Sequence, residues 1–295
     1  IVDLTGLEYC KNLVALNLAG NRIQDITLLG ALGKLTALYL GGNQISDLTP
    51  LVQNYGLMYL ELQNQHTLEG EKVLSNLSGL QFLGGLVTLY LHDNAVSDVK
   101  ALQWMLNLQT LSLGNNRISD LSATEGLSGL TWLDAGGNQL DDGDMTSIEK
   151  FTSLNHLGLW NNQIRTIDRL ANLKSLVYLD LSHNQTPNKD GSYAAIEDID
   201  VLVGLVKLVQ LYLDDNHISN AAALAGLPQL AVLTLRNNSI SDISPLAANT
   251  GLGTRPVTQI EQDRLDVRGN QLSQENLCNE IPVLLKRDVL VEFDG

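Results

Sequence analysis

The chain has 295 residues, is 44% apolar but only 5% aromatic, and carries a formal net charge of −15. So acidic a balance argues against a reader of nucleic-acid phosphates, which needs a basic stripe to displace counterions, and against docking on anionic lipid. No apolar run approaches the ~20 residues of a membrane-spanning helix, and two cysteines, Cys10 and Cys278, cannot form a disulfide framework.

Residues 1–13, IVDLTGLEYCKNL, align with 23–35 and read as the second half of a repeating unit. The chain is therefore expected to be a fragment or a processed product. From Leu13 the phrase LxxLxLxxNxI recurs ten times, opening at Leu13, Leu35, Leu57, Leu86, Leu108, Leu130, Leu154, Leu176, Leu208 and Leu230. Leu252 ends the tenth unit. Most steps are 22 residues, with longer ones of 29, 24 and 32 where repeats three, six and eight carry extra residues. The fourth position is leucine in all ten phrases, and the sixth in nine, Ala135 being the exception. The second half of each unit reads like SDLTPLVQNYGL (46–57) or SDISPLAANTGL (241–252).

This pattern resembles the leucine-rich repeat family in its 22-residue, internalin-like form, over essentially the whole chain. The resemblance implies an α/β solenoid: a right-handed leucine-rich repeat superhelix. It would have a concave parallel β-sheet, one short strand per turn, and a convex side of 3₁₀ or short-helical segments. Physics points the same way, since one unit cannot bury its leucines alone and stacked units share a continuous core. The solenoid would occupy 1–272: a half repeat 1–12, ten repeats from Leu13 to Leu252, and a final strand phrase within 262–272. Ser273 could then cap a helix bearing Leu277, Ile281, Leu284 and Leu285, and VLVEF (289–293) would close the stack. The segment 273–295 looks like the terminal cap of bacterial leucine-rich repeat proteins, with Cys278 expected as a small buried hydrophobe.

Asn21, Asn43, Asn94, Asn116, Asn138, Asn162, Asn184, Asn216, Asn238 and Asn270 are expected to form a ladder that satisfies backbone groups buried at the turn. Gln65 breaks the rule in repeat three. Asp3, Asp25, Asp47, Asp98, Asp120, Asp198 and Asp242 share one register where aspartate can cap a short helical turn. Much of the negative charge is thus scaffold chemistry. The extra residues of repeats three, six and eight lie around 65–73, 141–144 and 185–195, each just after the strand phrase.

Alternation along a strand turns the fourth and sixth residues inward and the third, fifth and seventh outward. Those outward columns hold five of the eight tyrosines and two of the three tryptophans. None of the nine lysines falls there, whereas all five histidines (His66, His92, His156, His183, His217) lie at outward places of the phrase or its turn. Aromatics without lysine is the composition of a recognition surface. The densest patch is expected in repeats six to eight, from Trp132, His156, Trp160 and Tyr178 as anchors, with Asp134 and Asp180 as polar partners. Tyr59, Tyr90, His92 and Tyr212 extend it.

Ser182, His156 and Asp180 do not make a catalytic triad, because Ser182 and His156 lie about 13 Å apart along the strand direction. No phosphate-cradling, CxxC or HExxH motif is present, so the chain reads as a non-enzymatic module without a required cofactor. In repeat eight, Asn188, Asp190, Gly191 and Glu197 fall at calcium-loop offsets, but an Asx-Gly turn explains the same residues. The expected ligand is a protein or peptide on the concave face, in a bacterial surface or secreted protein. A glycan-binding adhesin and a cytosolic scaffold or enzyme regulator are the alternatives; no nucleic acid and no membrane insertion are expected.

Overall fold

The computed structural model describes residues 1–187, 193–253 and 262–294. The chain divides into two compact units, Ile1–Leu140 and Asp141–Gly295. In the first, six three-residue strands pair in parallel and in sequence order: β1 (Ala15–Asn17), β2 (Ala37–Tyr39), β3 (Tyr59–Glu61), β4 (Thr88–Tyr90), β5 (Thr110–Ser112) and β6 (Trp132–Asp134). The second begins with β7 (His156–Gly158) and β8 (Tyr178–Asp180). A small antiparallel hairpin follows, β9 (Thr186–Pro187) with β10 (Tyr193–Ala194). Then come β11 (Gln210–Tyr212), β12 (Val232–Thr234), β13 (Arg264–Asp266) and β14 (Leu290–Glu292), parallel to their neighbours, with β11 beside β8.

In each unit the register aligns third with third and fifth with fifth phrase positions, so the expected columns exist. Opposite the strands run short segments, mostly 3₁₀, such as Thr27–Ala31, Thr49–Gln53, Asp168–Asn172 and Asp200–Gly204. So few residues favour the tighter 3₁₀ turn over α-helix. Between strand and segment the leucines disappear from solvent: Leu38, Leu60, Leu89, Leu157, Leu179 and Leu211 are fully buried. Each such burial contributes roughly 1.5–3 kcal/mol. The expected solenoid of parallel strands and short turns is what each unit shows.

Two polar devices hold the bends. The eighth phrase position (Gly20, Gly42, Asn64, Asp93, Asn115, Gly137, Asn161, His183, Asp215, Asn237, Gly269) is left-handed in every phrase, with φ between +50° and +72°. Only glycine, or residues such as Asn and Asp, adopt this conformation routinely. The ladder comes next in sequence. Asn43 donates to the carbonyls of Leu18 and Leu40, both at 2.9 Å, and accepts the N–H of Ile23 at 3.0 Å. Asn116, Asn216 and Asn238 repeat the arrangement.

Gln65 does not break the ladder. Its longer side chain is fully buried, donates to the Leu40 carbonyl at 2.8 Å and accepts the Ile45 N–H at 2.9 Å. The aspartate register also has its function: Asp25, Asp47, Asp98, Asp120, Asp198 and Asp242 each accept the N–H two residues on, at 2.8–2.9 Å. This turns the chain into the 3₁₀ segment.

At the C-terminal end Ser273 accepts the Asn276 N–H at 3.2 Å, as a helix cap does. The helix then runs through a π stretch, Asn276–Glu280, before α-helix over Ile281–Lys286. Ile281 and Leu284 are buried, but Cys278 is exposed and Leu285 is 52% exposed, contrary to expectation. The wider π turn changes the helix phase. The inward place beside the start of the helix goes to Asn276, which accepts the N–H of Ile243.

Candidate ligand-binding face

In the first unit the outward side chains form a continuous aromatic row. Tyr39 and Tyr59 have ring centroids 4.9 Å apart, Tyr59 and Tyr90 6.0 Å, and Tyr90 and His92 6.3 Å in an edge-on contact. The row exists because register sets Tyr39 and Tyr90 on either side of Glu61, with Tyr59 two residues before that carboxylate on the same strand. The Tyr59 hydroxyl donates to Glu61 Oε1 at 2.5 Å. Burial, then the Glu61 bond, raises the phenol's pKa, so the hydroxyl keeps its proton. Gln63 steadies the other Glu61 oxygen at 3.3 Å, and His92 Nδ1 lies 3.0 Å from Ser112 Oγ. The sequence places Tyr59, Tyr90 and His92 in the extension of the expected surface but leaves Tyr39 out. Its fifth-column position beside Tyr59 was the available signal.

The repeat-three insert is tied down next to this row. His66 Nε2 lies 2.9 Å from the Asp93 carbonyl, Lys72 Nζ donates to the Asn115 carbonyl, and a bridge joins His66 to Lys72. Its outer residue Leu68 is exposed. Trp132 and Asp134 close the unit on β6, both half-buried, with Asp134 accepting the Gly136 N–H at 3.1 Å.

The second unit carries its own row. His156 lies flat on Tyr178, centroids 4.0 Å apart and planes 11° from parallel, and Tyr178 leans on Tyr212 at 5.3 Å. Burial lowers the His156 pKa to about 4, so the imidazole is neutral at physiological pH. Burial likewise raises that of Asp180, against the opposing bonds from Ser182. Ser182 donates its hydroxyl to Asp180 Oδ1 at 2.5 Å and its N–H at 3.0 Å, and Tyr178 reaches the other oxygen at 3.5 Å. Ser182 is thereby bound to a carboxylate rather than to a base. Trp160, partly exposed in the turn after β7, has no ring partner among the described residues. His183 takes the left-handed turn position and pairs with Asp215 at 3.0 Å. The expected patch is thus shared out, with Trp132 and Asp134 in the first unit and His156, Trp160, Tyr178 and Asp180 in the second.

Of the calcium-loop residues, Asn188, Asp190 and Gly191 lie outside the described residues, and Glu197 is exposed. Among the described residues no group of three or more His, Cys, Asp or Glu is placed to hold a metal ion, and no helix is long and apolar enough to cross a membrane.

Repeated leucine strands, a buried carboxamide ladder and an outward face free for side-chain variation define a leucine-rich repeat protein. Family models agree: "Leucine Rich repeats (2 copies)" matches residues 11–53, 152–190 and 206–248, and "Leucine rich repeat" matches 84–140. The chain is 31% identical to an internalin of Listeria monocytogenes, inlF, covering 100% of this chain and 84% of that one with a TM-score of 0.79. A second internalin of that organism is 32% identical over 68% of this chain and 80% of its own, with a TM-score of 0.59. A leucine-rich repeat protein of Leptospira interrogans shares the fold at 23% identity, over 98% of this chain and 74% of its own, with a TM-score of 0.73. No curated protein sequence matches the chain. The chain belongs to the leucine-rich repeat family, and its fold is internalin-like.

Proposed function

We propose that this chain is a non-enzymatic binding module of a bacterial surface or secreted protein, and that its outward sheet face takes a protein or peptide partner. The observation that carries the reading is the pair of aromatic rows, Tyr39–Tyr59–Tyr90–His92 and His156–Tyr178–Tyr212. The fold needs no ring at these outward positions. Rings locked against one another lose little conformational freedom on binding, which is why tyrosine and tryptophan serve as hot spots. Neighbouring carboxylates, Glu61 in one row and Asp180 in the other, add polar selection. The Listeria relatives support the bacterial and extracellular setting.

The test uses the whole chain, immobilised and presented to a panel of purified extracellular proteins and to a glycan array. Protein hits are then measured against the double variants Tyr59→Ala/Tyr90→Ala and Tyr178→Ala/Tyr212→Ala. At least one pair should weaken binding about tenfold or more. Full affinity in both variants, or ligands found only among glycans, would overturn the proposal.

A further inference from the structure

Five large apolar side chains of the first unit stand in water beside the sheet rather than on it. Tyr55 is 71%, Phe82 56% and Trp104 65% exposed, and Met58 and Leu106 are also more than half exposed. All lie in the segments that lead from the 3₁₀ turns into β3, β4 and β5. Elsewhere this segment carries lysine: Lys11, Lys34, Lys150, Lys174 and Lys207 lead into repeats one, two, seven, eight and nine. In repeats three to five no Asp, Glu, Lys or Arg occurs over 53–58, 81–87 or 103–109. Charge has been replaced by rings and aliphatics on one flank.

The segments are direct neighbours. Met58, Val87, Gln109 and Thr131 each donate the backbone N–H to the carbonyl of the preceding repeat, Thr36, Met58, Val87 and Gln109 in turn, at 2.8–2.9 Å. One turn bond recurs in all of repeats two to six, from the N–H of Leu32, Asn54, Leu83, Met105 and Leu127 to the carbonyl three residues back, at 2.8–3.0 Å. Equivalent positions therefore occupy equivalent places. An aromatic side chain presents about 150–250 Å², so at these exposures the five residues together offer roughly 600 Å². That is the upper end of what a monomer leaves open. A stable complex covers about 800 Å² on each side, which the patch and its uncharged rim of Gln81, Gln103 and Gln109 approach.

The charges that bound the patch fit a second copy of the same surface. Lys34, Tyr55, Leu83, Trp104 and Glu125 lie one, two, three, four and five residues before the phrase leucines of repeats two to six. They form a diagonal with a cation at one end, an anion at the other and a ring on each side of the buried Leu83. A two-fold axis lying in the interface and crossing this diagonal at Leu83 exchanges its two halves. Lys34 then meets Glu125 of the partner subunit, and Tyr55 meets Trp104 of the partner subunit. Self-complementarity of this kind is what a two-fold interface requires. Lys34 Nζ gives one hydrogen bond to Asn12 Oδ1 at 2.7 Å, and an ammonium has three to give.

We propose that this flank of repeats three to five is a homodimer interface, closed by Lys34–Glu125 pairs around the apolar patch. It precedes the strands, whereas the aromatic rows lie on them, so the two surfaces are separate and the inference does not depend on the ligand reading.

The test is sedimentation equilibrium of the full chain from about 1 to 200 μM. The mass should rise with concentration from 32.1 kDa toward twice that value. Trp104→Gln should weaken dimerisation about tenfold or more. Lys34→Glu and Glu125→Lys should each weaken it several-fold, by setting like charges opposite one another, and the combined swap Lys34→Glu/Glu125→Lys should restore it. All four positions are exposed or paired only at the surface, and circular dichroism checks that each variant keeps the fold. A monomer at every concentration would overturn the proposal and leave the patch to a different protein. A dimer indifferent to Trp104→Gln, or one that the combined swap fails to restore, would overturn it equally.

Discussion

Removing Asn116 separates two kinds of backbone partner in the ladder. Its Oδ1 is the acceptor for the buried Val96 N–H at 3.0 Å, whereas its amide serves the carbonyls of Leu91 and Leu113. Those carbonyls have second donors: Asn94 reaches Leu91 at 2.9 Å and Asn138 reaches Leu113 at 3.0 Å. Asn116→Ala therefore strands one N–H rather than three groups. The expected loss is about 1–3 kcal/mol, the cost of one orphaned buried donor. Asn94→Ala should cost more, since it strands the Gln65 N–H and also removes the donor to the Leu62 carbonyl. In the double variant the Leu91 carbonyl loses both donors. Its loss should then exceed the sum of the singles by about 1–2 kcal/mol. Urea denaturation followed by circular dichroism, with all three variants and the parent compared at one pH, measures the coupling. Additivity within about 0.5 kcal/mol would refute the shared-carbonyl reasoning.

Four further outcomes follow from the geometry. The His156 ring should titrate in the folded chain near its lowered pKa of about 4. Because the unfolded ring titrates near the ordinary imidazole value of 6.5, its contribution is fully present above that pH and lost as pH falls toward about 4. An NMR titration with a midpoint near 6.5 would contradict the burial argument. Tyr59→Phe removes the Glu61 bond but keeps the ring, so partner affinity should fall far less than in Tyr59→Ala; equal losses would make the hydroxyl, not the ring row, the important group. Asp93→Val places a β-branched residue at φ +56° and should destabilise by about 1–2 kcal/mol, while Asn115→Gly at φ +55° should be tolerated, as melting temperatures would show. Cys278 should react with a thiol reagent in the native chain at a rate close to that of a small peptide thiol, and strong protection would place it back in the core.

The leucine and asparagine positions were legible because their spacing is geometric: each falls at one place in a 22-residue circuit, whatever surrounds it. The outward columns were legible for the same reason, through the two-residue alternation of a strand. Contacts within the columns were not. That His156 stacks face to face on Tyr178 while Trp160 has no ring partner among the described residues depends on rotamers, which no periodicity encodes. Gln65 looked like a defect because residue type, rather than reach, was compared; one extra methylene brings its amide to the same carbonyl row. Cys278 was misplaced because a 3.6-residue period was assumed where a π stretch intervenes. Arg264 and Arg268 are legible in the sequence as outward residues of the last strand phrase, but their pairings depend on Glu292, which comes from the closing strand.

The ladder bonds also show where the chain is free to change length. In ordinary repeats the carboxamide reaches back 25 residues to a leucine carbonyl. Across repeat three the same bond spans 32 residues, and across repeat eight 35. Its far end, the N–H that meets the next carboxamide, stays 20 residues away in an ordinary repeat and after the repeat-eight insert alike. In repeat eight the added residues thus sit between two fixed anchor points, whereas in repeat three the N–H that meets Asn94 is that of Gln65, 29 residues back, and the insert is bonded into the stack through His66 and Lys72. At the repeat-eight site, loops of different length or composition can be exchanged without refitting the stack, so new contacts can evolve there at little structural cost.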